Sequence, residues 1–403
     1  MSVRVAPPPA GTKRILSIDG GSSSVKIAVY EVGVEHSTLL LDGSVEPLGS
    51  PAATLAISDR RAPITQLTRF ALRGRPPVAA LLGAVEAANI RADAVGHRIV
   101  YGGPSLEAPT RVTPAFMTTL DALVPFDPLH LPAALEAIRQ IAALLPDVPQ
   151  VVCFDTAFHH RMPMVAQRLP LPRELWSEGV QRFGFHGLSY ESIVRGLGTA
   201  GVRGRMIVAH LGNGASMAAM IDGSPIDTTM GFSPLGGLMM GTRPGDLDPG
   251  VVLYLLRQGR TPDQLSELLT QRSGLLGVSG LSSDMRTLLD RRGDSVAAAE
   301  AIELFVYEAV KNAGGLAAIL QGVDTFVFTG GIGENAAPVR AEIAAGLAFL
   351  GVTLDRERNE RNADPISSDD SRVVVRVIPT AEMLMVALHA NDVAFGLVTA
   401  TQQ

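Results

Sequence analysis

Ile15-Leu16-Ser17-Ile18-Asp19-Gly20-Gly21-Ser22-Ser23-Ser24-Val25-Lys26-Ile27-Ala28-Val29-Tyr30 joins an apolar run, two glycines, a serine cluster and a second apolar run. The alternation predicts a strand from Lys13 to Asp19, a tight turn, and a return strand from Val25 to Glu31. The second half of the chain repeats this pattern. Arg205 to Leu211 predicts a strand, Gly212-Asn213-Gly214 a tight turn, and Ser216 to Ile221 a return strand. Either unit alone would say little. The pair points to two α/β domains of related internal design.

Outward from these units, Val95 to Val100 reads as a short strand ending at Gly102-Gly103, and Pro149 to Phe154 as a buried strand ending at Asp155. Between them, Leu135, Ile138, Ile141, Ala142 and Leu145 recur at helical spacing behind Pro132, a favourable helix-starting residue. Ser295 to Leu320 predicts a long helix, with a break expected near Gly314-Gly315. Val323 to Thr329 reads as a strand, Gly330 to Asn335 as a turn, and the residues to about Leu350 as the helix that this turn opens. Glu382 to Leu397 reads as a helix expected to pack back on the first domain.

The bulk properties narrow the function classes. Of 403 residues, 46% are hydrophobic and 18% charged, which is the composition of a packed protein and not a disordered one. A formal net charge of −6 argues against general binding to nucleic acid or anionic membranes. The only cysteine, Cys153, excludes an intrachain disulfide and a cysteine-only zinc site and fits a reducing cytoplasm. No uninterrupted apolar run approaches the length of a bilayer span. Met1 to Thr12, with Pro7, Pro8 and Pro9, has no apolar core of a signal peptide and is expected to be an extension before the first strand.

Three glycine turns follow predicted strands: Gly20 to Ser24, Gly212 to Gly214, and Gly330 to Gly333. Such turns let backbone N–H groups approach phosphate closely. Each alone reads more readily as an ordinary hairpin or strand-to-helix turn; three together, with Lys26 beyond the first, point to a nucleotide triphosphate. None has the Lys-Ser or Lys-Thr of a Walker loop. Arg98 and Arg243 stand beside glycines or turn residues, so each pairs with a protein carboxylate or awaits an anion. His130, His186 and His210 stand in turn-rich or glycine-rich contexts, though a lone histidine is more often structural. Asp155 reads as a ligand-side carboxylate or as a cap for the following turn.

These residues in this order resemble the acetate kinase family of the actin-like kinase superfamily. The resemblance runs from Ile15 to about Ala387. It rests on Gly21-Ser22-Ser23-Ser24-Val25-Lys26, Phe154-Asp155-Thr156-Ala157-Phe158-His159, Phe183-Gly184-Phe185-His186-Gly187, His210 to Gly214, Asp227 to Asp248, Ser279 to Arg286, and Thr329 to Asn335. It implies two duplicated actin-like, ribonuclease H-like α/β domains with a nucleotide cleft between them. The first domain would span 1–155, completed by the tail 385–403, and the second 156–384. The implied activity is reversible Mg²⁺-dependent transfer of the γ-phosphoryl group of ATP to acetate, giving acetyl phosphate and ADP, with Mn²⁺ able to replace Mg²⁺. A cytoplasmic homodimer is also implied, with closure of the cleft during turnover.

Carried over by position, the match implies catalytic roles for Asp155, His186, Arg243 and His130. Arg98 would hold the acetate carboxylate, with Val100, Leu129, Phe185 and Pro234 around its methyl group. Lys26, His210, Leu211, Gly212, Asn213, Gly214, Asp284, Met285, Arg286, Gly331, Ile332, Gly333, Glu334 and Asn335 would form the nucleotide site, and Asp19 and Glu382 would be metal-linked. Asp19 stands where the family usually carries asparagine, Tyr190 replaces a frequent histidine, Gly236 a usual glutamate, and Met383 the second acid of Thr-x-Glu-Glu. The alternatives are a propionate or butyrate kinase of the same family, or a non-catalytic actin-like ATP-binding protein. The last would not need Arg98, His186 and Arg243 together.

Overall fold

The computed structural model describes residues 11–21, 24–61, 67–72, 74–128 and 130–396. The expected extension at Met1 to Ala10, Ser22 and Ser23 of the first turn, Leu129, and the helix end expected at Leu397 lie outside the described residues. The chain divides into two compact units, Met1–Ala157 with Ala381–Gln403, and Phe158–Thr380.

The first unit is built on an eight-stranded mixed sheet. Its strands are β1 (Lys13–Gly20), β2 (Val25–Val32), β3 (Ser37–Glu46), β4 (Thr54–Asp59), β5 (Leu67–Ala71), β6 (Ala94–Ile99), β7 (Thr110–Arg111) and β8 (Gln150–Phe154), in the order β5-β4-β3-β2-β1-β6-β8-β7. The β1-to-β5 run is antiparallel, while β6 lies parallel to β1 and β8 parallel to β6. Successive strand residues face opposite sides of the sheet. Leu16 and Ile18 therefore join one core with Leu81 and Val85 of the helix Pro77–Ala87 and Ala137 and Ile141 of the helix Leu131–Leu144. Ser17 faces the other side, where its Oγ donates to the carbonyl of Met383 at 2.7 Å. The helix Glu382–Phe395 lies there against β1, β6 and β8. Gly96 permits this approach, because a Cβ on it would stand 2.6 Å from Val386 Cγ1 and 2.8 Å from that residue's carbonyl oxygen.

The second unit holds a five-stranded sheet of β9 (Arg205–Leu211), β10 (Ala215–Ile221), β11 (Ser224–Thr228), β12 (Thr325–Thr329) and β13 (Val374–Val377), ordered β11-β10-β9-β12-β13. β9, β10 and β11 are antiparallel, and β12 and β13 add in parallel. This matches β3-β2-β1-β6-β8 strand for strand and direction for direction, so the duplication expected from the two glycine hairpins is present in the topology. Tyr190 and Ile193 of the helix Gly187–Gly201 pack with Met206, Val208, Ala218, Met220 and Val327.

Two local expectations need correction. The helix Val296–Leu320 runs unbroken through Gly314-Gly315. Two glycines weaken a helix by only about 2 kcal/mol, and the buried row Ala309, Ala313, Leu316, Ala317 and Leu320 holds it to the core. Gly330–Asn335 is itself a short helix, and the next helix, Ala337–Gly346, ends before Leu350. Among the described residues no helix is long and apolar enough to cross a membrane.

Candidate active site

In the first unit the chemistry collects at the C-terminal ends of the parallel strands, where open α/β sheets bind ligands. Asp19 lies opposite Lys26 in the β1–β2 register and opposite Arg98 in the β1–β6 register. Cross-strand partners share a sheet face, so Lys26, Asp19 and Arg98 form one row of alternating charge. Asp155 follows β8 by one residue, two positions beyond Cys153, the register partner of Arg98. Glu382 is the first residue of the helix packed on this face.

Arg98 organises the row. Its Nε donates to Asp155 Oδ1 and Oδ2 at 3.2 and 3.1 Å, its Nη2 to Asp155 Oδ2 at 2.5 Å, and its Nη1 to Asp19 Oδ1 at 2.9 Å. A guanidinium carries five N–H groups; these bonds leave one on each terminal nitrogen for an anion. The Asp155 side chain is 1% exposed. Burial pushes its carboxyl up to about 6 against the pull of Arg98, with Glu382 and Asp19 adding to the rise. Burial opposes the charge on Arg98 too, but Asp155, Asp19 and Glu382 together hold its proton well above the ordinary range. The two rises thus differ in cause: burial leads for Asp155, and the surrounding carboxylates for Arg98.

Val100 is half-buried just beyond β6, and Lys26 is exposed. His130 Nδ1 is 2.9 Å from Asp127 Oδ1, three residues earlier, at the start of the helix Leu131–Leu144.

In the second unit the Gly212–Gly214 hairpin is closed by the Gly212 N–H donating to the Gly214 carbonyl at 3.0 Å. The Asn213 carbonyl accepts from the Gly241 N–H at 3.0 Å, which ties the hairpin to the loop carrying Arg243. A Cβ on Gly214 would stand 2.7 Å from Arg243 Nη2 and 3.1 Å from His186 Nε2. The glycine thus lets a cation and an imidazole nitrogen meet over bare backbone. Arg243 is aimed by its Nη1, which donates to the Pro234 carbonyl at 2.7 Å. His186 sits at φ +57° before the helix Gly187–Gly201, in the left-handed region uncommon for residues other than glycine. Its ring stacks on His210 with centroids 4.2 Å apart.

This turn has its own support. Gly184 has φ +72°, and a Cβ there would stand 2.6 Å from the His159 ring. His159 Nε2 donates to the buried Phe185 carbonyl at 3.0 Å. Burial pushes His159 down to about 4, with the Phe185 contact opposing and His160 and Arg182 reinforcing the shift, so the ring is neutral. At the third glycine turn, Glu334 Oε1 accepts from the N–H groups of Gly330 and Thr380 at 2.9 and 3.1 Å. Asn335 Nδ2 donates to the Gly331 carbonyl at 2.9 Å. Arg340, fully buried, donates to the carbonyls of Gly333 and Glu334. Glu334 and Asn335 therefore hold this turn's shape, and Gly331 has open space where a side chain would stand. Asp284 caps the helix Met285–Arg291 by accepting from the N–H groups of Arg286 and Thr287.

The acetokinase family model matches residues 14–388. The chain belongs to the acetokinase family. It is 47% identical over 394 residues to the acetate kinase of Rhodopseudomonas palustris, covering 95% of this chain and 98% of that one. It is 43% identical over 383 residues to the acetate kinase of Rhizobium meliloti, covering 93% and 97%. Among solved structures, the acetate kinase of Porphyromonas gingivalis superposes with a TM-score of 0.84 at 35% identity, covering 95% of this chain and 100% of that one. A propionate kinase of Francisella tularensis superposes with a TM-score of 0.87 at 33% identity, covering 94% and 99%. Both are well above the identity at which only a fold is shared.

For an acetokinase, sequence reading left out several groups that the structure ties to the site. Ser216 is 2.8 Å from His186 Nδ1, Ser189 is 2.8 Å from His210 Nδ1, and His159 and Arg340 brace two of the turns. His159 stood inside a recognised motif, and the apolar neighbours Val339 and Ala341 were the one sequence signal that Arg340 would be buried. The serines gave no local signal.

Proposed function

We propose that the chain transfers the γ-phosphoryl group of ATP to acetate, reversibly and by direct in-line displacement, forming acetyl phosphate and ADP. The observation that carries this reading is the meeting of Arg243 Nη2 and His186 Nε2 over Gly214. Phosphoryl transfer asks for positioning and charge stabilisation at the equatorial oxygens, and a cation and an imidazole nitrogen over a glycine suit both. The acetate kinase names of the relatives support acetate as acceptor.

Acetate is already ionised at neutral pH, since carboxylic acids of this kind titrate at about 4–5. It needs an anchor more than a base. The two remaining N–H groups of Arg98 suit its carboxylate, and Asp155, with both oxygens on Arg98, orients that anchor. Val100, Phe185 and Pro234 are the apolar groups assigned to the methyl. In the second unit, Gly212 to Gly214 and the open position at Gly331 suit the nucleotide.

The donor set of the first unit fits a hard divalent cation. Asp19, Asp155 and Glu382 all act on Arg98, and carboxylate oxygens are the donors that hard divalent cations take. Asp19 and Glu382 would hold Mg²⁺, or Mn²⁺ in its place, which when bound neutralises nucleotide oxygens. The same reading takes the protein as a cytoplasmic homodimer formed through the second unit. There the helix Pro249–Arg257 has no buried residue and exposes Val251, Leu253, Tyr254 and Leu256, an apolar patch of the kind that interfaces cover.

The test is hydroxylamine trapping of acyl phosphate with ATP, Mg²⁺ and acetate, propionate or butyrate in turn. Acetate should give the highest kcat/KM and butyrate the lowest. The propionate kinase of similar fold makes propionate the second reading. Butyrate as the best substrate would overturn the assignment.

A further inference from the structure

Behind the two stacked histidines run two hydroxyl chains. His186 Nδ1 is 2.8 Å from Ser216 Oγ, and Ser216 Oγ is 2.5 Å from the hydroxyl of Tyr190. His210 Nδ1 is 2.8 Å from Ser189 Oγ, which accepts from Thr380 Oγ1 at 2.8 Å. Tyr190, Ser216 and Ser189 are all 0% exposed. The opposite ring nitrogens, both Nε2, point toward the Gly212–Gly214 turn: a Cβ on Gly214 would meet His186 Nε2, and one on Gly212 would stand 3.7 Å from His210 Nε2.

Resting on the phosphoryl-transfer reading above, we infer that Tyr190 and Ser216 are positioning residues that fix His186 as its neutral Nε2–H tautomer, aimed as a hydrogen-bond donor at the transferring phosphoryl group. The proton count is short. A serine hydroxyl has one proton and two lone pairs, and a tyrosine hydroxyl is the more acidic donor. Tyr190 O–H donates to Ser216 Oγ and takes one of its two lone pairs; if His186 Nδ1–H took the other, the proton of this fully buried serine would be left without an acceptor. The serine proton then goes to His186 Nδ1, which must be unprotonated to accept it. The ring's single proton lies on Nε2, beside Arg243 Nη2. Such a chain is reinforced by cooperativity in a buried site. Without it, either nitrogen of His186 could carry the proton, and in one of the two tautomers the nitrogen facing phosphate would present a lone pair to an anion. The His186 ring is held by its stacking on His210 and its Nδ1 contact with Ser216, so the tautomer, and not a rotation, decides what faces the phosphoryl group.

The test joins spectroscopy to kinetics. The full chain is labelled with ¹⁵N-histidine and observed without substrates, with His186→Gln identifying the resonances. The expected spectrum shows an unprotonated Nδ1 and a protonated Nε2 for His186. Tyr190→Phe, close in shape, should give mixed tautomers and lower kcat by about tenfold, with KM for acetate and ATP changed by less than about twofold. Ser216→Ala should do the same more strongly. If that variant does not fold, Tyr190→Phe decides alone. An Nδ1–H signal in the unmodified protein, or a Tyr190→Phe variant with unchanged tautomer and kcat, overturns the inference. Should the unmodified protein form no acyl phosphate, the kinase reading fails by itself, while the tautomer measurement still judges the relay.

Discussion

Replacing Asp19 with asparagine separates two roles that its position allows. Asp19 Oδ1 accepts from Arg98 Nη1 at 2.9 Å, and the two side chains are 24% and 16% exposed. Asparagine keeps an acceptor oxygen there and removes one of the three negative charges around Arg98. As a partner of Arg98, the change forfeits the difference between a charge-assisted and a neutral hydrogen bond, about 1 kcal/mol or about fivefold in acetate KM. As a metal-linked carboxylate, it forfeits about 1–2 kcal/mol of cation affinity, or about 5- to 30-fold in the Mg²⁺ needed for half-maximal rate. The second effect is expected to dominate. Removing a negative charge near a bound anion offsets part of the loss at Arg98, whereas nothing offsets it for a cation. The assay is a Mg²⁺ titration at saturating ATP and acetate, followed by an acetate titration at saturating Mg²⁺. Saturating Mg²⁺ should restore most of kcat, since the family usually has asparagine at this position. An unchanged Mg²⁺ half-saturation with a raised acetate KM would refute the metal role and leave Asp19 as a brace for Arg98.

Three further outcomes follow from the same geometry. Arg98→Ala should mainly raise acetate KM and Arg243→Ala mainly lower kcat, each by about 30- to 1000-fold; equal effects on KM alone would contradict this division. Val100→Ala should narrow the preference for acetate over propionate, within the about 1–3 kcal/mol that one methylene is worth, as read from the ratio of kcat/KM values. His97 and His159 are each held neutral, mainly by burial, at about 4. Their depressed values contribute stability that is present above the ordinary value of about 6.5 and lost as pH falls through about 4. Urea unfolding between pH 6.5 and 4.5 should show His159→Asn with a pH slope shallower by about 1.4 kcal/mol per unit, and an unchanged slope would mean that His159 is charged in the folded protein.

How far the sequence disclosed this site depends on how local each signal was. Both glycine hairpins and their flanking strands were legible because the alternation and the turn sit within about a dozen residues. The Arg98–Asp155 and Arg98–Asp19 pairs were not, although all three residues had been singled out. They join strands 57 and 79 residues apart, and only sheet register brings them level. Strands β3, β4 and β5 went unread, and β5 is exposed along its whole length, so no buried face marks it. The expected break at Gly314-Gly315 failed for the opposite reason: a local preference gave way to a buried helix face.

The duplicated register gives the clearest account of why the two units do different chemistry. In the first, the central row at the strand ends is Lys26, Asp19 and Arg98; the corresponding row in the second is Ser216, His210 and Thr329, by the same antiparallel and parallel pairings. The first row is partly open to solvent, with Lys26 exposed and Asp19 and Arg98 half-buried, so full charges can be kept there if they are paired. The second is closed, with Ser216 and Thr329 at 0% and His210 at 9% exposure. An unpaired charge in such a place would cost several kcal/mol, and neutral hydrogen-bonding groups fill it instead. One scaffold thus yields an ionic row suited to a carboxylate and a cation, and a neutral row suited to holding imidazoles in fixed tautomers. The charge that the second unit needs for a phosphoryl group comes from Arg243, which lies outside the sheet on a loop tied to the Gly212–Gly214 hairpin. Moving that charge into the row, as by Thr329→Lys, should therefore destabilise the second unit by several kcal/mol, where Lys26→Thr in the open row of the first changes stability by less than about 0.5 kcal/mol.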